Sequence, residues 1–417
     1  MSPPPVPAVR PIEREAIVLL AGCAPRRRAL AARVESLVTA CDEDHVLELL
    51  RRTRLTALVG RRIVAVAGPG AFPRLALVAG GVAAATRRRN AAHEILQLGI
   101  LARMTQAGVA AAPLKGPDLA RRIHADPGLR LSGDVDVLVD SDRLSDAVAV
   151  VETLGYRDVP STGRPWLTEL HRRLEHPSPA MPRVEVHWRA EWYSSRPECG
   201  GFAGAALERS HPDPGGQGRR FRPADELALL LLVYARDELV GLRLPADLAA
   251  WWDRHGPDVG DGALQEIVEA DPPLATPLAT AALICGRLVG LPAARLIDLG
   301  PAKAPRARLA TRLADPFLDQ PPRRRASTLV DGLFSSRGTI RSFLRRRVFV
   351  PTGHVAATYG CDAGPMLYLL TIQHPVRRAV HYARFVGSPP PRSSHFGLDP
   401  GPGDDPSPVV DAITTTR

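Results

Sequence analysis

Lysine is nearly missing from this 417-residue chain: of 54 basic residues only Lys115 and Lys303 are lysine, and the rest are arginine. Long apolar runs are missing too. No stretch of about eighteen uncharged apolar residues occurs, which argues against a membrane-spanning helix. The opening segment, MSPPPVPAVRPIERE, lacks the basic-then-apolar pattern of a secretory signal. The five cysteines are scattered, with no CxxC pair and no His-rich partner segment, which argues against a zinc site or a disulfide framework and points to a reducing cytoplasm. Together these absences predict a folded cytoplasmic protein with no membrane partner.

The formal charge of +10 suggests nucleic acid. The arginines, however, fall in short runs spread along the whole chain, such as Arg26–Arg28, Arg87–Arg89, Arg323–Arg325 and Arg345–Arg347. Such runs read as solvated helix faces in an Ala- and Pro-rich composition rather than as a binding track, so nucleic acid is not the expected partner. Against this arginine bias, a retained lysine at position 115 draws notice, because a compact ammonium does what a planar guanidinium fork cannot.

Periodicity divides the chain. Residues 1–11 are Pro-rich and expected to be disordered. Residues 12–108 read mostly as helix, with an N-terminal helical region at 12–89; they include a segment behind Asp42, a candidate N-cap, and a second helix that opens the core unit and ends at Gly108. Within the core unit at 90–220 the period changes after Gly108 to that of strands: 109–116, DVDVLV at 134–139, a helix near 142–154, a strand near GYRDV, and RVEVHWRAEW at 183–192. From 221 to 387 the pattern is helical again, and the tail at 388–417 is Pro/Gly/Ser-rich and expected to be disordered.

The central unit carries the chemistry. In a strand, residues i and i+2 share a face, so Asp134 and Asp136 point one way and Val135, Val137 and Val139 the other. Paired carboxylates repel and resist burial unless a cation lies between them, and magnesium favours one or two carboxylates completed by substrate phosphates. Glu185, on the strand at 183–192 with valines on its other face, is the candidate third ligand of a site holding two ions. The alternative is an edge strand with one solvated face. Upstream, Gly116 ends a strand and Pro117 starts a helix whose N–H groups, with Lys115 beside them, can hold an anion. Arg130 can reach a triphosphate bidentately; the alternative, strong in so arginine-rich a chain, is a surface arginine. His187 shares a face with Glu185, where it can orient a carboxylate or shuttle a proton; the alternative is a packed His187–Trp188 pair. The pairs Trp192–Tyr193 and Trp251–Trp252 read as packing rather than base stacking.

The segments LKGPDLARRIHADPGLRLSGDVDVLV and VEVHW resemble the uncharacterised nucleotidyltransferase family of the polymerase-beta-like superfamily, as do LRLPADLAAWW and two C-terminal segments, FLRRRVFVPTGHVAATYG and QHPVRRAVHYARF. The resemblance spans roughly residues 40–386. It implies an α+β fold: a small mixed-sheet nucleotidyltransferase core flanked by N-terminal helices and a C-terminal helical domain. It also implies Asp134, Asp136 and Glu185 as metal ligands for Mg²⁺, with Glu185 completing the nucleophile-side ion and serving as base. Lys115, Gly116, Arg130, Ser132 and Gly133 would form the nucleotide-binding set. The implied reaction transfers NMP from a nucleoside triphosphate to a hydroxyl or phosphate of a small-molecule, peptide or protein acceptor. Terminal phosphoryl transfer at the same site, and a non-catalytic basic scaffold, are the alternatives.

Overall fold

The computed structural model describes residues 11–159, 170–195, 200–215, 217–298, 300–313 and 364–384, with positions 330, 332–334, 352 and 355. The Pro-rich start, the tail at 388–417 and most of 314–363 within the expected C-terminal helical region lie outside these residues, as do the arginine runs at 323–325 and 345–347.

Helices open the chain: α1 (Pro11–Ala21), α2 (Ala24–Ala29), α3 (Ala31–Thr39), α4 (Glu43–Thr53) and α5 (Arg61–Ala67). Asp42 caps α4 as its sequence position predicts, its carboxylate accepting from the His45 N–H at 3.0 Å. Next, α6 (Pro73–Gln106) begins on a proline at its first turn and runs unbroken for 34 residues. Its buried side is polar in the middle, with Thr86, Asn90, His93 and Gln97, and apolar at the end, with Ile100, Leu101 and Met104. That change of character foreshadows what α6 touches.

Then come β1 (Ala111–Pro113), α7 (Pro117–Ile123), β2 (Asp134–Val139), α8 (Leu144–Glu152), β3 (Arg157–Asp158), β4 (His171–Glu175), β5 (Arg183–His187) and α9 (Gly201–Glu208). The strands form a mixed five-stranded sheet in the order β1-β2-β5-β4-β3. Only β2 and β5 run parallel; the other neighbours are antiparallel. The fold is therefore α+β, as expected. Strand β4 has no sequence counterpart in the apolar/polar alternation, because HRRLE places a histidine and charges where a hydrophobic residue would reveal the period.

The two faces of the sheet differ. Val135, Val137, Val139, Leu174, Val184 and Val186 pack with Ile100, Leu101 and Met104 of α6 and with Ala147 and Val151 of α8. The opposite face carries Asp134, Asp136, Glu185 and His187. A larger apolar cluster joins the N-terminal helices to α10 (Pro223–Arg236), α11 (Arg243–His255), α12 (Ala263–Ala270), α13 (Ala275–Val289), α14 (Ala293–Leu296) and α15 (Gly300–Leu313). Helix α10 is buried from Asp225 to Arg236, matching its leucine run. Pro272–Val289 is long and apolar enough to cross a membrane by composition, yet 72% of it is buried inside the fold, the behaviour of a core helix. Many arginines are spent internally: Arg33 pairs with Glu15, Arg61 and Arg87 with Asp126, and Arg122 with both Asp118 and Glu226. Trp251 is fully buried and donates to Glu226 at 2.9 Å, and Trp192 and Tyr193 are buried too, so these aromatics serve packing.

The turn at Pro127–Leu129 lies hard against α6. A Cβ on Gly128 would sit 2.3 Å from the Ala83 carbonyl oxygen, and a helix backbone cannot yield that much. Gly128→Ala is therefore expected to destabilise the protein by about 2 kcal/mol or more, visible as a lowered thermal midpoint. An unchanged midpoint would show that the turn and helix separate freely.

Candidate active site

Asp136 is fully buried at the centre of β2. Its Oδ1 accepts from His187 Nε2 at 2.9 Å and faces Lys115 Nζ at 3.2 Å, while its Oδ2 is buried with no hydrogen-bond partner. The parallel register places Asp136 beside Glu185 and Leu138 beside His187. Asp134, Asp136 and Glu185 thereby each offer an oxygen within 4.8 Å of the others. The three carboxylates read from the sequence do converge, and an orphaned buried oxygen among hard donors fits a divalent cation.

Lys115 reaches the cluster because β1 is tied to β2: the Leu114 N–H donates to the Asp136 carbonyl at 3.2 Å. The chain then turns at Gly116, with φ of 82° and a virtual Cβ 3.3 Å from the Asp134 carbonyl oxygen. A side chain there would be strained by the backbone angle and crowded by β2. Helix α7 is only seven residues long and carries Asp118 in its first turn, so the positive charge at this end comes from Lys115 more than from the helix.

Burial and neighbours set the charge states. Burial, and then Asp136, push Asp134 up to about 6, while Lys115 pulls the other way. Burial also opposes charge on Asp136, but Lys115 and His187 outweigh it and hold that carboxyl below its usual value. Glu185 is likewise held well below the ordinary range against burial, by the imidazoles of His171 and His187 and by Lys115. Burial would lower Lys115, yet Asp136 and Asp134 raise it, so it stays charged. Burial depresses His171 to about 3, while Asp136 and Glu185 raise His187 against burial.

Arg130 has a different place from the one its sequence position suggested. It is 4% exposed, and its guanidinium is committed: Nε donates to Asp247 Oδ2 at 2.9 Å, and Nη1 donates to the Gly116 carbonyl and Ser132 Oγ, both at 3.0 Å. It braces the Gly116 turn from behind instead of facing an open site. Ser132 is fully buried, its N–H donating to Asn90 Oδ1 at 3.3 Å, and Gly133 is half-buried at the entrance to β2. Asn90 also donates to the Pro127 and Arg130 carbonyls at 2.7 Å, and Gln97 donates to the Asp136 carbonyl at 3.3 Å. The polar stripe of α6 thus positions the strand that carries the aspartates. Sequence reasoning missed this stripe, and it missed Asp247, Arg243 and His171. Arg243 donates to the Leu131 carbonyl at 2.7 Å, and its charge reaches Asp134. The stripe was legible as polar residues at helical spacing, and Asp247 lies in the LRLPADLAAWW segment.

A mixed sheet with three converging carboxylates beside a lysine and a glycine turn is equipped to transfer phosphorus-containing groups. A family model described as an uncharacterised nucleotidyltransferase matches residues 39–290, more than half of the chain, and the protein belongs to that family. It is a nucleotidyltransferase. The match contains the whole sheet and α13 and ends before the two C-terminal segments that were expected to extend it. Neither the comparison with curated proteins nor that with solved structures gave a match.

The unequal surroundings of the two aspartates predict opposite effects in metal-free protein. Asp134→Asn removes a disfavoured charge and is expected to stabilise by about 1–2 kcal/mol at neutral pH. The Asp134 penalty is full above about pH 6 and fades as pH falls toward its ordinary 3.8. Asp136→Asn strands Lys115 and is expected to destabilise by about 3 kcal/mol. Denaturant titrations in chelator check both; two changes of the same sign would contradict this charge assignment.

Proposed function

We propose that the enzyme transfers a nucleoside monophosphate from a nucleoside triphosphate to an acceptor hydroxyl or phosphate, releasing pyrophosphate, with Asp134, Asp136 and Glu185 holding Mg²⁺. The observation that carries this reading is the buried, unpartnered Asp136 Oδ2 inside a carboxylate trio whose other neighbour is Lys115. Bound Mg²⁺ would supply charge neutralisation for the attacking and leaving oxygens.

The protein's own residues have separate tasks. Asp136 is fixed by His187 and Lys115 through Oδ1, which leaves Oδ2 as the ligand atom. Asp134 and Glu185 are partly exposed and form the open side of the cluster. Lys115, with Arg243 nearby, supplies the positive charge that a triphosphate needs, while Arg130 and Ser132 keep the Gly116 turn in place behind it. An acceptor oxygen forms a bond to the α-phosphorus, the bond from that phosphorus to the bridging oxygen breaks, and pyrophosphate departs. The proton of an acceptor hydroxyl leaves at the open side of the cluster. A small molecule, a peptide or a protein side chain suits this chemistry as acceptor.

Incubation with each radiolabelled triphosphate, Mg²⁺ and candidate acceptors is expected to yield labelled acceptor and pyrophosphate. Asp134→Asn and Asp136→Asn should each lower that rate by about a thousandfold or more. Release of a nucleoside diphosphate instead would indicate terminal phosphoryl transfer and overturn this reading. Full activity in either variant would do the same.

A further inference from the structure

Beside the carboxylate trio lies a second convergence, built on His171, which nucleotidyl transfer does not use. His171 and His187 are directly paired across the antiparallel β4–β5 ladder, and Glu185 shares their face two residues before His187. The rings lie 4.7 Å apart, tilted by 51°. Both point a nitrogen at the same oxygen: Nε2 of His187 is 3.4 Å from Glu185 Oε2, and Nε2 of His171 is 3.8 Å from it. His171 is only 7% exposed, its Nδ1 is buried without a partner, and its Nε2 stops short of hydrogen-bond range. An imidazole so buried and so little bonded calls for a ligand.

We propose that His171, Glu185 and His187 form a distinct cation site that takes a borderline divalent metal such as zinc. Two imidazole nitrogens and one carboxylate oxygen are a zinc donor set, whereas magnesium prefers oxygen alone. A tetrahedral ion with bonds of about 2.0–2.1 Å sets its ligand atoms roughly 3.3–3.4 Å apart; the two nitrogen-to-oxygen spacings of 3.4 and 3.8 Å lie close to that, and all three ligand atoms lie within 4.8 Å of one another. Glu185 belongs to both constellations, and His187 Nε2 also donates to Asp136 Oδ1 at 2.9 Å, so zinc on that nitrogen displaces the Asp136 bond and couples the two sites. Zinc is titrated here without magnesium or triphosphate, so this assignment can fail while the magnesium reading holds, and the reverse.

The test uses full-length protein, stripped of metal and titrated with Zn²⁺ against a chromophoric chelator. One equivalent should bind to wild type, His171→Gln should weaken it about tenfold or more, and Asp134→Asn should leave it within about threefold. X-ray absorption of the zinc-loaded wild type should show two imidazole ligands, a readout that depends on no variant. Magnesium-triphosphate thermal shifts, run in parallel on zinc-free protein, report on the carboxylate trio. Absence of stoichiometric zinc in wild type, a zinc shell without imidazole, or equal zinc affinity in His171→Gln overturns the proposal.

Discussion

The structure is organised around a carboxylate that should not be comfortable where it is. Asp136 has no solvent exposure, and a lone buried carboxylate would take up a proton and become neutral. Here one oxygen is compensated by Lys115 and His187, which come from elements on either side of β2. The charge survives, and the other oxygen is left without a partner. Everything that holds those two elements in place therefore also holds the reactive geometry.

That support is built in layers. Asn90 and Gln97 of α6 bond the backbone that leads into and along β2, so the long helix fixes the aspartate strand at several points. Arg130 extends the support to the helical half, joining Asp247 of α11 to the Gly116 carbonyl and Ser132. A buried ion pair of this kind adds little net stability, but losing one partner is costly because the other charge stays buried. The pair thus ties the helical half to the turn that presents Lys115. The opposite face of the sheet is plain valine packing on α6 and α8, which leaves one face rigid and apolar and the other free for charge.

Much of this was legible in the sequence, for physical reasons. A period of two with valines on one side and aspartates on the other has few readings, so Asp134, Asp136 and Glu185 could be placed on one face before any pairing was known. Spacing alone could not reveal that β2 and β5 run parallel and adjacent, the register that brings Glu185 to Asp136. His171 was hidden because β4 carries charges where hydrophobic residues would mark the period. The burial of Arg130 was not legible for a related reason: it depends on a partner 117 residues away, Asp247, which no local pattern announces. Lys115 was found through composition, since a chain this rich in arginine rarely uses lysine.

The central claim is that the unpartnered oxygen of Asp136 is a metal ligand shared with Asp134 and Glu185. Anomalous scattering from crystals soaked with Mn²⁺ and a non-hydrolysable nucleoside triphosphate tests it most directly. The account predicts a manganese peak bonded to Asp134 and to Asp136 Oδ2, with the triphosphate on the Lys115 side. A carboxylate trio without manganese while the triphosphate is bound, or manganese bound only elsewhere, would contradict it.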